Sequence, residues 1–212
     1  MLSGSHEDRP KQPRVLRGFS HINRYWDRER RCYGAKITPG QFYVSTEGEQ
    51  IVTVLGSCVS ACVRDPIFNI GGMNHFMLPS GENGNWGDSI NGSTRYGNFA
   101  MEQLVNTILQ NGGSRENLEV KLVGGGKILN AMTDIGSKNI EFVREYVKME
   151  GFRVVSEDLG DIYPRKVLYL PDTGKLLVKK LRSLHNTTIL EREASYSRDI
   201  NVEPVSGEIE LF

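Results

Sequence analysis

Cysteine is scarce in this 212-residue chain, tryptophan is scarcer, and net charge is missing altogether. The cysteines, Cys32, Cys58 and Cys62, are odd in number and lack framework spacing, which agrees with a reducing compartment and excludes a disulfide scaffold. Cys58 and Cys62 are spaced C-x-x-x-C, so the C-x-x-C of a thiol redox centre is absent. The four histidines are scattered along the chain, and no cluster supplies a full zinc set, so no metal is expected. Basic and acidic residues both number 26. That balance argues neither for nor against an acidic partner, and no nucleic acid partner is expected. No run approaches the roughly 18 apolar residues of a membrane span, and the N-terminus lacks the apolar core of a secretory signal. The chain is therefore expected not to be embedded in a membrane and to be cytoplasmic.

What is present is an ordinary globular composition, 38% apolar and 25% charged, enough for one sizeable core. Its most informative stretch is Ile51 to Pro79, IVTVLGSCVSACVRDPIFNIGGMNHFMLP. It reads as a strand, a small-residue elbow at Gly56-Ser57, and two apolar strands joined at Asp65-Pro66. Proline presets φ for a turn and aspartate caps it. A turn centred between Pro66 and Ile67 sets Cys58 directly opposite His75, with β-carbons about 5 Å apart. An imidazole beside a thiol makes an activated nucleophile. Two alternatives stay open: a bulge at Gly71-Gly72 would turn His75 to the other face, and a cysteine in an apolar run is commonly just a small buried hydrophobe.

Residues 1–35 differ in character. Pro10, Pro13 and the arginines Arg24, Arg28, Arg30 and Arg31 suggest a flexible basic leader, with Tyr25, Trp26 and Tyr33 available to anchor its end. Residues 36–185 form the expected domain, and 186–212 an extension that either adds a strand or trails as a tail. Within the domain Phe42 and Val44 suit an edge strand. The segment SGENGNWGDSINGSTRYGN after Pro79 reads as an irregular loop bearing Trp86 and Tyr96. Helices are expected over Asn98–Gln110, on the stripe Met101, Leu104, Val105 and Ile108, and over Ser137–Glu150. Leu118–Val123 reads as a strand running into Gly124-Gly125-Gly126-Lys127. The full G-x-x-x-x-G-K-[ST] pattern is missing, so a nucleotide loop is not expected, nor any cofactor. Strands at Phe152–Ser156, Val167–Leu170 and Leu176–Lys180 complete the pattern. The order predicts an α/β (α+β) fold, a layered sandwich of mixed, largely antiparallel sheets flanked by helices.

Thr53-Val-Leu-Gly-Ser-Cys58-Val, Asp65-Pro66 and Gly71-Gly-Met-Asn-His75-Phe-Met-Leu-Pro79 together resemble the signature of the CheD family of chemoreceptor glutamine deamidases. The likeness continues through Gly124-Gly125, Ile135-Gly136-Ser-Lys-Asn139, Glu157-Asp158-Leu159-Gly160, Arg165-Lys166-Val167 and Thr173-Gly174-Lys175, and departs at Asp161, where the family often has glycine. It implies a fold similar to the catalytic domains of deamidating toxins. It also implies hydrolysis of receptor glutamines to glutamate, with ammonia released, and methyl-accepting chemotaxis receptors and a CheC-type phosphatase as partners. On the matched positions Cys58 would be the nucleophile, His75 its base, and Thr53 the residue that orients His75, with Ser57 the alternative hydroxyl. Backbone N–H groups around Gly56 to Cys58 would form the oxyanion hole. Two other functions use the same residues: a glutamyl methylesterase, and a non-catalytic adaptor. The enzyme readings all require thiol and imidazole to meet at an accessible place.

Overall fold

The computed structural model describes residues 9–79, 86–128, 135–182 and 187–202. Among the described residues ten strands form two five-stranded sheets. The first contains β1 (Asn23–Asp27), β2 (Cys32–Lys36), β4 (Gln50–Leu55), β9 (Arg165–Leu170) and β10 (Lys175–Lys180), side by side in that order. The second contains β3 (Phe42–Ser45), β6 (Ile70–Asn74), β5 (Val59–Asp65), β7 (Glu119–Gly124) and β8 (Arg153–Leu159). Only β2 with β4 and β7 with β8 pair in parallel. The mixed, largely antiparallel sandwich read from the sequence is therefore the observed one.

Helices α1 (Trp86–Gln110) and α2 (Ile135–Met149) lie against the second sheet, α1 over β3, β5 and β6 and α2 over β5, β7 and β8. Both follow their apolar stripes. Met101, Leu104, Val105 and Ile108 are buried on α1, and Phe142, Val143, Tyr146 and Val147 on α2. The helices cover one face of the second sheet and the first sheet meets the other, where Thr53 of β4 reaches His75, so that six of the seven residues of β5 are buried. A strand so enclosed carries a near-continuous apolar run rather than an alternating one.

The β5–β6 hairpin corrects the expected register. Its loop is Pro66–Asn69, and Asp65 pairs with Ile70 and Cys62 with Met73, not in the pattern that would set Cys58 against His75. Asp65 makes the longer loop: one carboxylate oxygen accepts from the N–H groups of Ile67 (2.8 Å) and Phe68 (3.1 Å), the other from Ser114 N–H (2.8 Å) and Asn117 Nδ2 (3.1 Å). Asn69 closes the turn at φ 54°. Moving a hairpin's centre by one residue moves every pair by two, which is the period of side-chain alternation, so each side chain keeps its face. Gly71 and Gly72 pair regularly with Arg64 and Val63, and no bulge intervenes.

Three other expectations change. The leader is not a mobile arm up to residue 35, because β1 and β2 form a hairpin at the edge of the first sheet, and the expected boundary falls inside β2. Arg24 pairs with the buried Glu49 carboxylate (2.7 Å), and Tyr33 donates to Pro10 O (2.9 Å). The segment after Pro79 is helical from Trp86 onward, twelve residues before the expected start at Asn98, so Tyr96 stands on α1 rather than on a loop. Residues 80–85 and the side chain of Trp86 lie outside the described part. The C-terminal extension is neither strand nor tail over residues 187–202 but a third helix, α3 (Thr187–Val202).

Candidate active site

The chain passes from one sheet to the other at Gly56-Ser57-Cys58, between β4 and β5. Two glycines fix this elbow. Gly125 N–H donates to Cys58 O and Gly126 N–H to Gly56 O, both at 2.8 Å. Gly124 adopts φ 118°, a left-handed conformation that favours glycine, where a β-carbon would collide with Cys58 O. Close packing beside the hairpin is thus what the Gly124–Gly126 run supplies. Asn139 on α2, fully buried, completes the clamp by donating to Ser57 O (2.9 Å) and accepting from Leu78 N–H (2.8 Å).

Alternation along β6 sends Asn74 towards α1, where it donates to Ala100 O, and His75 the opposite way, towards the first sheet. There its Nδ1 lies 2.8 Å from Thr53 Oγ1 on β4. The same hydroxyl lies 2.9 Å from Ile37 O, which can only accept. A threonine has one hydroxyl proton. It goes to Ile37 O, so Nδ1–H of His75 must donate to Thr53 and Nε2 is left as a bare acceptor. Nε2 is buried and has no hydrogen-bond partner. Burial pushes the His75 imidazole down from 6.5 to about 3, so the ring is neutral at neutral pH.

Cys58 and His75 share a face as diagonal neighbours of the hairpin. The Sγ of Cys58, a ring nitrogen of His75 and a carboxylate oxygen of Glu193 lie within 4.8 Å of one another. Glu193 comes from α3, and nothing in the sequence marked it. Its Oε1 accepts from Gly56 N–H (2.7 Å) and Cys58 N–H (3.3 Å), and its Oε2 from Ser57 N–H and Ser57 Oγ–H, both at 2.7 Å. These are the N–H groups assigned above to an oxyanion hole. Ser57, the alternative orienting hydroxyl, is turned to Glu193 and away from His75. The three side chains are of types that ligate zinc, but the carboxylate is aimed into the elbow with both oxygens engaged.

The expected accessibility is contradicted. Cys58 is 0% and His75 2% exposed, with α3 over the elbow; a cleft of about 80 Å³ that His75 lines with Gly40, Gln41 and Tyr96 leaves both residues this enclosed. Burial first, and the Glu193 carboxylate second, hold the Cys58 thiol well above its ordinary value near 9.0. As built, the site is assembled but its thiol is protonated.

Thr53 is testable apart from the thiol. With Thr53→Ala the ring loses the acceptor that fixes its tautomer, and any turnover that depends on His75 should fall by up to about 10²-fold with KM little changed. Ser57→Ala, which keeps its backbone N–H, should cost far less. Steady-state kinetics of the two variants check this, and the reverse ranking would transfer the orienting role to Ser57.

A family model described as "CheD chemotactic sensory transduction" matches residues 77–180. A Halorhodospira halophila protein named "Probable chemoreceptor glutamine deamidase CheD" is 54% identical over 203 residues, covering 94% of this chain and 94% of that protein. Relatives with the same name from Hahella chejuensis (47% over 209 residues, 98% and 99% covered) and Methylobacillus flagellatus (53% over 192 residues, 90% and 95% covered) are similar along nearly the same span.

Proposed function

The chain belongs to the CheD family, and from that premise we propose that it is a chemoreceptor glutamine deamidase working through Cys58, His75 and Thr53. Its substrates are glutamine side chains on the cytoplasmic helices of methyl-accepting chemotaxis receptors, which makes the cytoplasm its place of action. The observation that supports the residue roles is the chain Ile37 O, Thr53 Oγ1, His75 Nδ1, which leaves Nε2 unprotonated on a ring that has a nitrogen within 4.8 Å of the Cys58 sulfur.

The steps follow from that geometry. His75 Nε2 takes the Cys58 proton, and the thiolate attacks the carboxamide carbon. The carbonyl oxygen, now carrying negative charge, is held by the N–H groups at Gly56 to Cys58, an interaction often worth about 3 kcal/mol. The C–N bond breaks, and the nitrogen leaves as ammonia with the proton stored on His75. Water, deprotonated by His75, then hydrolyses the thioester to glutamate and restores the thiol. The new carboxylate is a site for methylation, which links the reaction to control of chemotaxis.

Incubating a receptor fragment with the enzyme should release ammonia in step with new glutamate. Methanol release from a methylated fragment without ammonia from an unmethylated one would replace this reading with an esterase. A CheC-type phosphatase is the second partner we propose on the family resemblance, and a co-purification with that phosphatase would test it. No described helix is long and apolar enough to cross a membrane.

A further inference from the structure

A carboxylate sits where the deamidase reading requires a substrate. Glu193 is 2% exposed, and four donors of the elbow converge on its two oxygens. A glutamate side chain has the length and shape of glutamine and is what deamidation of glutamine leaves behind. It therefore fills the pocket as a product would. The rest of α3 supports the placement. Glu193, Tyr196 and Ile200 follow one another at helical spacing along one face. Tyr196 pairs its hydroxyl with that of Tyr96 on α1 and lies so close to Gly40 that a β-carbon there would be 3.0 Å from its oxygen, while Ile200 rests against the core. Glu191, Arg192, Arg198 and Asp199 on the other side are exposed.

We propose that α3 is a tethered product mimic that keeps this enzyme closed, and that an incoming glutamine on a partner helix must displace Glu193 from the elbow to be hydrolysed. The inference rests on the deamidase reading. It gives the cover two separate effects: the oxyanion donors are occupied, and a negative charge next to Sγ opposes formation of the thiolate. An occupant on the same chain competes at an effective concentration that a free competitor does not reach at ordinary protein concentrations. Substrates are then turned over at a rate reduced by the fraction of molecules that are closed.

The same placement makes a prediction no merely structural salt or hydrogen bond would make. In full-length Glu193→Gln the carboxamide lies in the pocket itself. Cys58 attacks its Cδ, ammonia leaves with a proton from His75, and water cleaves the thioester, so glutamine plus water gives glutamate plus ammonia. The purified variant should gain about one dalton at position 193 at a rate independent of protein concentration, and Glu193→Gln combined with Cys58→Ala should not. Full-length Glu193→Ala should be alkylated at Cys58 by iodoacetamide, and should deamidate a receptor fragment, at least about tenfold faster than wild type. Tyr196→Ala, which removes the anchor one turn along α3 while leaving Glu193 in place, should move both rates the same way. Unchanged alkylation in Glu193→Ala and Tyr196→Ala, or a glutamine that persists at 193 in an enzyme active on receptor fragments, overturns the proposal. Faster alkylation with no ammonia from any variant would keep α3 as the cover and remove the deamidase reading instead.

Discussion

Cys58→Ala releases no measurable ammonia from a receptor fragment and leaves its mass unchanged, whereas the wild type adds about one dalton per modified glutamine. The expected loss in kcat is about 10⁴-fold or more, because a carboxamide resists water unless a nucleophile divides the reaction into two easier steps. What remains, binding and the N–H groups of the elbow, cannot supply the missing covalent step. The substitution removes one sulfur from a position already fixed by the Gly125 and Gly126 hydrogen bonds to the elbow's carbonyls. The variant should therefore fold, losing about 1 kcal/mol of stability in urea unfolding for the buried sulfur. Cys62 provides the comparison: it is equally buried, four residues further along β5, and has no imidazole assigned to it. Cys62→Ala should cost about 1 kcal/mol of stability and retain most turnover. A Cys58→Ala enzyme with more than a tenth of wild-type activity would end the assignment.

His75→Gln has two expected effects of opposite sign. Turnover falls by about 10²- to 10⁴-fold through loss of the base. Resistance to acid rises. The folded-state value for His75 is about 3, below the 6.5 of the unfolded chain, so at acid pH the unfolded state takes up a proton that the native state refuses. Stability is fully present above 6.5 and declines as pH falls, by about 1.4 kcal/mol per pH unit until about pH 3. Glutamine carries no such proton. Between pH 6.5 and 5 the wild type should therefore lose about 2 kcal/mol relative to His75→Gln, measured by urea unfolding at each pH. Parallel pH profiles would mean that the imidazole is open to water and free to protonate in the native state.

The proximity of the proposed catalytic pair was legible because it depends on a local rule. Side-chain alternation survives a two-residue error in register, so Cys58 and His75 were placed on one face even though the loop is Pro66–Asn69 and not a tighter turn. Thr53 was legible only through the family likeness. It belongs to the other sheet, and no periodicity in Gln50–Leu55 says which strand of a second layer it will face. The main helices followed from their stripes, but the first turns of α1 hold glycine, asparagine and serine, which composition assigns to loops; in the structure Ser93 bonds Pro79 O and Gly97 lies against Phe142 and Leu78. β1 and β2 were hidden by arginines, whose charge suggested solvent although Arg24 is spent on Glu49. Glu193 was beyond reach, since its partners lie more than 130 residues earlier and its own helix is weakly patterned.

The N-terminal hairpin has a practical consequence for anyone shortening this protein. β2 lies beside β4, and the chain just after it supplies the carbonyl that takes the Thr53 proton. Cutting at the compositional boundary near residue 35 would strip most of one flank from the start of β4 and open its amide ladder at Gln50–Ile51, on the strand that carries Thr53. Such an open border invites pairing with the same border of another molecule. The product would be a sticky, self-associating fragment, and its poor activity would say nothing about its chemistry.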